Sequence, residues 1–293
     1  MGHLVRCISE DGTLLIMACD TTDVVQRAYE IHGTSKVCTA ALGRLLTAGA
    51  MMGSMLKGKK DSLTLKINGG GPAGSVIAVA DSACHVKGYV VDGSVELPLN
   101  QKGKLDVGGA VGNNGFLTVI KDLGMNEPYV GQVPVVSGEI AEDITSYFAS
   151  SEQTPTVCGL GVLVAQDRSV IKAGGFLIQL LPTAENDTID KVERDIENID
   201  SVTKMLTDGM TPSDICKAVL PSFRIEQLDE SFPEYQCDCS RERVQAALIA
   251  AGKNELLDMA NDENTEVRCQ FCDSVYNFSS KDILDLLESS GSN

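Results

Sequence analysis

Four cysteines near the C-terminus constrain the fold of this chain more than any other feature. They form two short pairs, Cys237-Asp-Cys239 and Cys269-Gln-Phe-Cys272, separated by residues 240–268. Each pair can direct two thiols into one cavity, and four sulfurs complete the tetrahedral coordination that Zn²⁺ prefers. Two such pairs are far more specific than a lone CxxC motif. The spacing therefore predicts one zinc ion bound by Cys237, Cys239, Cys269 and Cys272.

The segment around these cysteines, residues 233–293, is predicted to be a small zinc-binding domain. Its expected elements are helices Arg241–Ala251 and Glu255–Ala260, a hairpin of Thr265–Cys269 and Ser274–Phe278 with the CxxC in its turn, and a last helix Asp282–Glu288 capped by Ser280. A unit of this size buries too little apolar surface to be comfortably stable alone. Bound zinc can contribute on the order of 10–16 kcal/mol to folding, so the metal is expected to hold the unit together.

Residues 1–182 are predicted to form a mixed core domain of the α+β class. Two helices are expected, Ser35–Leu56 and Glu139–Ser150. Strand-like segments, mostly bounded by glycine-rich turns, are Leu63–Ile67, Ser75–Ala80, His85–Val91, Phe116–Ile120, Gly159–Ala165 and Gly175–Leu181. Strands grouped together with few helices favour α+β over a doubly wound sheet.

Residues 183–232 are predicted to be a metastable helical linker. Helices are expected over Asp187–Ile199, Val202–Leu206 and Ile215–Leu220, the last capped by Thr211-Pro-Ser-Asp214. The apolar residues of the first helix form one narrow stripe, Ile189, Val192, Ile196 and Ile199, and its other positions are mainly charged. Such helices are marginal in isolation and need a surface to pack on.

The charge distribution argues against nucleic-acid binding. The net charge of −17 is concentrated near the C-terminus, because residues 1–182 hold 17 acids and 14 bases while residues 183–230 and 231–293 each hold 12 acids and 5 bases. Nucleic-acid binders usually present a basic face. A zinc-ribbon DNA reader is therefore not expected.

The N-terminal sequence and the cysteine content favour a cytoplasmic protein. The chain starts in mixed sequence without an apolar signal-peptide core, and its ten cysteines are then expected to stay reduced or to hold metal. The most membrane-like segment, Val37–Leu56, is interrupted by Arg44 and followed by lysines, so a buried helix is expected there and not a membrane span.

Motifs for cofactor or hydrolase chemistry are weak. Gly69–Gly74 fits GxGxxG, but the strand-like Ser75–Ala80 follows it where a dinucleotide site needs a helix, so a hairpin loop is predicted. The three histidines are scattered and no GxSxG is present, which does not indicate a hydrolase triad. These motifs therefore indicate neither a dinucleotide-binding enzyme nor a hydrolase.

The remaining cysteines lack paired spacing. Cys38, Cys84 and Cys158 lie in apolar runs and are predicted to be buried core thiols. Cys216 lies in the predicted linker, where it could enter disulfide exchange once that segment opens.

Spacing alone leaves the role of the cysteine site open. Zinc could simply staple a constitutive adaptor domain. Alternatively, the site could be a switch. Four thiolates on one Zn²⁺ are electron-rich and react with oxidants, and the resulting loss of zinc would unfold the marginal linker beside the site. A third hypothesis is a thiol–disulfide oxidoreductase that uses Cys269 and Cys272, although reactive CxxC pairs usually stand at a helix N-terminus and this one is predicted between strands.

Several features together resemble the redox-regulated heat-shock protein 33 family of bacteria. The CxC…CxxC spacing, the acidic helical linker and the total length all match. So do the sequence Tyr147-Phe-Ala-Ser-Ser-Glu-Gln153, which lies within Glu142–Thr156, and the glycine-rich Val107-Gly-Gly-Ala-Val-Gly112. The resemblance covers essentially the whole chain.

The resemblance implies a chaperone of heat and oxidative stress, an ATP-independent holdase that is inactive when reduced and zinc-bound. Oxidation would release zinc and form the disulfides Cys237–Cys239 and Cys269–Cys272. The linker would then unfold and uncover a surface that binds unfolded client proteins, and the active form would be a homodimer. Neither nucleic acid nor membrane is an expected partner.

Overall fold

A computed structural model describes residues 1–290, which fall into two compact units divided between Gln236 and Cys237. The strands are β1 (His3–Ser9), β2 (Leu14–Asp20), β3 (Ser62–Gly70), β4 (Val76–Asp81), β5 (His85–Val90), β6 (Gly112–Asp122), β7 (Tyr129–Pro134), β8 (Thr156–Val164), β9 (Val170–Leu180), β10 (Ile225–Ser231), β11 (Glu234–Tyr235), β12 (Asn264–Arg268) and β13 (Val275–Ser279). The helices are α1 (Thr22–His32), α2 (Lys36–Gly53), α3 (Val107–Val111), α4 (Ala141–Ser150), α5 (Asn186–Ile196), α6 (Val202–Thr207), α7 (Pro212–Ala218), α8 (Arg241–Ala251), α9 (Lys253–Met259) and α10 (Ser280–Ser290).

The first unit, called the core unit below, contains two mainly antiparallel sheets. The five-stranded sheet has the order β10-β1-β2-β9-β8, and the six-stranded sheet has the order β11-β5-β4-β3-β6-β7. Only the short β11 runs parallel to its neighbour β5 among the strands described for this unit. Strands that pair with near neighbours in sequence, with helices grouped apart from them, confirm the predicted α+β class.

Helix α2 is the centre of the core unit. It contacts strands of both sheets, and sixteen of its eighteen residues are buried. Arg44 keeps its charge at the edge of this core by pairing with the Glu139 carboxylate and donating to the Glu139 carbonyl at 3.1 Å. Burial on all sides accounts for the apolar composition of this segment, and the predicted buried helix is confirmed.

Among residues 1–290, no helix combines the length and the apolar character needed to cross a membrane.

The five-stranded sheet separates two apolar cores. Because side chains alternate along a strand, Met17 and Leu177 face the core formed with α2, whereas Ile16 and Phe176 face the opposite side. That opposite side is covered by α5, α6 and α7, which we call the cover helices. Together they bury an apolar face of β1, β2 and β9.

Helix α6 lies directly on the sheet because two strand residues lack side chains. A Cβ atom at Gly161 of β8 would come within 2.8 Å of Thr203 Cγ2, and one at Gly174 of β9 would come within 2.8 Å of Leu206 Cδ1. Glycine at both positions therefore permits close helix–sheet contact.

The cover helices occupy most of the segment predicted as a linker. The predicted helical character is confirmed, although α5 ends at Ile196 and α7 begins at Pro212. Thr211 caps α7 as predicted, since its side chain accepts a hydrogen bond from the Asp214 N–H at 3.2 Å. The assignment of residues 183–232 to a separate linker domain stays a prediction.

Strand β10 was not predicted, because its sequence lacks alternating apolar residues. It pairs antiparallel with β1 at the edge of the five-stranded sheet. Polar contacts hold it there: Arg6 Nε donates to Asp229 Oδ1 at 2.8 Å, and His3 lies 3.0 Å from the Glu230 carboxylate.

The sequence Tyr147–Gln153 forms a structural brace. Tyr147 is fully buried and its hydroxyl donates to the Glu152 carboxylate, which also accepts a hydrogen bond from Lys121 Nζ at 2.6 Å. The Ser151 hydroxyl lies 2.9 Å from the Tyr129 hydroxyl. These contacts tie the end of α4 to strands β6 and β7.

Two weaker predictions are also settled by the fold. The glycine-rich Gly69–Gly74 lies at the turn between the antiparallel strands β3 and β4, so the predicted hairpin loop is confirmed. Cys38 and Cys84 are buried as predicted, whereas Cys158 is partly exposed.

Candidate metal centre

The second unit, called the cysteine unit below, has a small apolar core. Its buried apolar side chains come from α8, α9, β13 and α10: Leu248, Leu256, Phe278, Ile283 and Leu286. The strands β12 and β13 form an antiparallel hairpin with Cys269 and Cys272 in the connection. The predicted order of helices and hairpin is confirmed, and the small core agrees with the expectation that the unit needs an additional staple.

The predicted cap of the last helix is off by one residue. Ser279, not Ser280, accepts a hydrogen bond from the Asp282 N–H at 3.2 Å, while the Ser279 N–H donates to the Asp282 carboxylate at 2.8 Å. Ser279 is the last residue of β13, so its extended backbone suits the cap position. The Ser280 hydroxyl instead donates to the Asp262 carbonyl at 2.5 Å.

All four predicted sulfurs converge on one point. The Sγ atoms of Cys237, Cys239, Cys269 and Cys272 lie within 4.8 Å of one another. The Cys237–Cys269 sulfur distance is 3.7 Å and the Cys239–Cys272 distance is 3.4 Å. Tetrahedral coordination with metal–sulfur bonds of about 2.3 Å requires neighbouring sulfurs about 3.8 Å apart.

These short contacts join the CxC to the CxxC, so the sulfurs form one cluster and not two separate pairs. In residues 1–290 every cysteine is a free thiol. The donor set and spacing can hold a metal ion, and a tetrahedral arrangement of four thiolates is typical of zinc.

The start of α8 fixes the CxC pair against the hairpin. Ser240 caps this helix by accepting from the Arg243 N–H at 3.3 Å. Arg241 donates to the Asn277 carbonyl at 2.8 Å, and its guanidinium lies 4.2 Å from the centre of the Phe278 ring. Arg243 forms an ion pair with Asp238, the residue between the two cysteines. These contacts hold the CxC sulfurs toward the CxxC.

Tyr276 is a site residue that the sequence analysis did not identify. Its hydroxyl donates a hydrogen bond to Cys239 Sγ at 3.1 Å. Burial opposes ionisation of this thiol, but the hydrogen bond from Tyr276 and those among the sulfurs outweigh it and lower the pKa of Cys239 to about 7. Burial raises the pKa of Cys237 and of Cys269. The only sequence signal for Tyr276 was its position on the strand that follows the CxxC.

Removing the Tyr276 hydroxyl is expected to weaken metal binding. Groups that donate hydrogen bonds to metal ligands typically change affinity by about 10–100-fold. We expect Tyr276→Phe to lower zinc affinity about tenfold, measured by competition with a chromogenic chelator. Tyr89→Phe, in strand β5 of the core unit, is the matched control. Equal zinc affinity in Tyr276→Phe and the unchanged protein would contradict a role for this hydrogen bond.

While the cysteine unit is still folded after zinc has left, Cys239 is expected to be the most reactive thiol of the cluster near neutral pH. Thiolates are the nucleophilic form, and with a pKa of about 7 the reactivity of Cys239 should rise near that pH. Short iodoacetamide pulses given directly after chelator addition, before the unit unfolds, and quantified for each cysteine by mass spectrometry across pH measure this order. Preferential labelling of Cys237, whose pKa is raised by burial, would show that the order is wrong.

The fold and the cluster define a class of protein, one with an α+β core unit and a small C-terminal unit built around four clustered thiols. A family model described as Hsp33 protein matches residues 2–279. The chain belongs to the Hsp33 family, as its resemblance predicted.

Curated relatives and a solved structure agree with this assignment. The chain is 49% identical to the 33 kDa chaperonin of Lachnoclostridium phytofermentans over 286 residues, which cover 97% of this chain and 98% of the relative. It is 48% identical to the 33 kDa chaperonin of Clostridium perfringens, covering 97% and 91% of the two chains. The crystal structure of the 33 kDa chaperonin (heat shock protein 33 homolog) from Thermotoga maritima superimposes with a TM-score of 0.89 at 37% identity and covers 99% of each chain.

Proposed function

We propose that this protein is a redox-regulated, ATP-independent holdase chaperone that is inactive while zinc is bound by Cys237, Cys239, Cys269 and Cys272. The observation that carries this proposal is the apolar sheet face beneath the cover helices. The relatives named 33 kDa chaperonin support a chaperone function and not an enzymatic one.

The covered face is a suitable surface for unfolded chains. It consists of aliphatic and aromatic side chains from three adjacent strands: Val5, Leu14, Ile16, Ala18, Phe176 and Ile178. All are buried beneath the cover helices. When the helices leave, these side chains form one contiguous apolar surface, and apolar surfaces of this kind bind the exposed side chains of unfolding proteins.

The cover helices are suited to detachment because they are short and weakly anchored. They contain 11, 6 and 7 residues, below the roughly 12–15 residues that an isolated helix needs to be even marginally stable in water. In α5, Thr188 and Val192 are the buried residues. Residues 183–230 hold 12 acids and 5 bases, so their mutual repulsion favours an open chain once packing is lost.

The cysteine cluster supplies the sensor in this proposal. Bound zinc would hold four thiolates in place and so contribute to the folding of the cysteine unit. Oxidation by peroxide converts two thiolates into one disulfide, as two sulfurs give up two electrons and the peroxide takes two protons to become two waters. The proposed disulfides are Cys237–Cys239 and Cys269–Cys272, and they leave no thiolate to retain the metal.

The last two strands of the core unit, which directly precede Cys237, support coupling of the sensor to the cover helices. Strand β11 ends two residues before Cys237, and its Tyr235 hydroxyl donates to the Gly88 carbonyl at 2.9 Å. Strand β10 immediately precedes it and follows the cover helices. In the proposal, unfolding of the cysteine unit releases this segment from the sheet edges and the cover helices then detach.

Further parts of the proposal concern partners and location. The clients are unfolded or partly folded proteins, and the active form is a homodimer in the cytoplasm. The acidic C-terminal segments do not favour nucleic acid as a partner, and neither is a membrane proposed.

The test compares suppression of thermal aggregation of an unrelated protein by the reduced zinc form and by the same sample after peroxide treatment with mild heat. Zinc release is followed in parallel with a chromogenic chelator. We expect suppression only after zinc release. Equal suppression before and after oxidation would show that the protein is not redox-gated.

The same samples separate the chaperone from the oxidoreductase hypothesis. Cys269 and Cys272 lie in a hairpin connection and not at a helix N-terminus, so the position that activates exchange-competent CxxC pairs is lacking at this motif. The holdase proposal therefore expects no catalysed reduction of insulin disulfides, whereas rapid insulin reduction would favour an oxidoreductase.

A further inference from the structure

Two cysteines outside the metal cluster meet beneath the cover helices. Cys7 lies on β1 with 1% of its surface exposed, and Cys216 lies on α7 with 0% exposed. Both belong to the apolar core between the five-stranded sheet and the cover helices, where α7 packs on β1 and β2. The two residues are far apart in sequence, so this meeting depends entirely on docking of α7.

The two thiols influence each other's ionisation. The interaction between the Cys7 and Cys216 side chains raises the pKa of Cys216 and lowers the pKa of Cys7. The positive charge of Lys217 also lowers the pKa of Cys7. Docking of α7 on β1 therefore brings the two sulfurs into one buried cluster, and a disulfide requires that proximity.

Other buried thiols of the core unit have different surroundings. Cys19 is on β2 but belongs to the core on the opposite face of the sheet. Cys38 on α2 donates to the Asp92 carbonyl at 3.4 Å. Neither residue faces the cover helices.

We propose that Cys7 and Cys216 form a second redox site, whose disulfide tethers α7 to β1 and keeps the cover helices on the sheet. The cross-link itself is independent of the function proposed above, while its effect on activity rests on that function. In this account the two redox sites act in opposite directions, since oxidation of the metal cluster frees the cover helices and oxidation of Cys7 with Cys216 retains them.

The oxidant is a peroxide, and the chemistry balances in two steps. The Cys7 thiolate attacks one peroxide oxygen, the O–O bond breaks, and the products are a sulfenic acid and, after protonation, one water. The Cys216 sulfur then attacks the Cys7 sulfur, the S–O bond breaks, and a second water leaves. In total two thiols lose two electrons and two protons, and one peroxide becomes two waters.

Burial determines when the reaction occurs. The oxidant reaches Cys7 only when α7 moves briefly off the sheet, and the sulfur–sulfur bond forms when the helix returns. A helix of seven residues can make such excursions without unfolding of the whole unit. The cross-link therefore captures molecules whose cover helices open and close again.

Non-reducing peptide mapping tests the site. Full-length, reduced, zinc-loaded protein is treated with hydrogen peroxide, alkylated and digested with trypsin. The expected product is peptide 7–27 linked to peptide 205–217, and fragmentation distinguishes Cys7 from Cys19 within the first peptide. The link is expected in the unchanged protein and in Cys19→Ala, and is lost in Cys216→Ala. Should Cys216→Ala fail to fold, Cys7→Ser provides the same loss from the other partner.

A second readout measures the tether. Here trypsin acts on native protein, whereas the mapping digest uses denatured protein, and cleavage after Lys217 is compared between the cross-linked fraction and Cys216→Ala after the same treatment. We expect cleavage to be lost in the cross-linked fraction and restored by a reductant. Absence of the linked peptide, or cleavage that is equal in both samples, would overturn the proposal. The linked peptide is detected by mass whether or not the protein suppresses aggregation, so failure of the proposed function is a separate result.

Discussion

Cys269→Ser is expected to abolish tight zinc binding and to unfold the cysteine unit without any oxidant. A serine hydroxyl is a poor replacement for a thiolate ligand, and structural zinc sites contribute on the order of 10–16 kcal/mol to folding. The apolar core of the unit has only five buried apolar side chains among its described residues, so it cannot compensate for that loss. Zinc content for each chain and the thermal unfolding curve measure the effect.

The matched control is Cys158→Ser, since Cys158 lies on β8 of the core unit and outside the cysteine cluster. This variant is expected to keep one zinc ion per chain. Loss of zinc in Cys269→Ser should also make residues 183–232 sensitive to protease in the absence of oxidant. Stoichiometric zinc in Cys269→Ser would refute the assigned ligand set, and unchanged protease sensitivity would refute the coupling.

Leu206→Asp is expected to produce a holdase that is active while still reduced and zinc-bound. Leu206 is 2% exposed, and its Cδ1 atom lies over Gly174 of β9. Burial of an unpaired carboxylate costs several kcal/mol, and the substitution also removes one of the three buried apolar side chains that hold α6 on the sheet. We therefore expect α6 to leave the sheet and the apolar face to open.

Thr207→Asp is the control for Leu206→Asp, because it places the same charge one residue further along α6 on an exposed position. It is expected to stay inactive until oxidised. The measurement is aggregation suppression by each reduced variant, with zinc content determined in the same samples. A reduced Leu206→Asp protein that keeps its zinc and suppresses aggregation no better than Thr207→Asp would rule out the sheet face as the client surface.

The clustering of the four cysteines was predictable because its information is local. Each cysteine pair spans three or four residues, and the strand and turn residues around Cys269 and Cys272 predict a hairpin without any knowledge of the rest of the fold. Thr211 was predictable as a cap for the same reason. Local signals did not identify the correct N-cap of α10. Ser279 and Ser280 have the same side chain, and where strand β13 ends decides that Ser279 is the cap.

Other features depend on distant parts of the chain and were not predictable. The contact of Tyr276 with Cys239 depends on the side on which the hairpin meets the start of α8. Strand β10 has few apolar residues and exists because β1 offers an unpaired edge. The amphipathic stripe containing Val192 predicts a helix that packs on an apolar surface. The sequence does not identify that surface, because it is a sheet face built from strands far apart in the chain.

Amide hydrogen exchange of the cover helices before and after peroxide-driven zinc release tests the central claim most directly. The claim is that loss of the metal from the cysteine unit frees residues 186–218 from the sheet. The account predicts that, in molecules without the Cys7–Cys216 link, these residues lose their protection once zinc has left, while α2 keeps its own. Full protection of residues 186–218 in unlinked protein that has released all of its zinc would contradict the account.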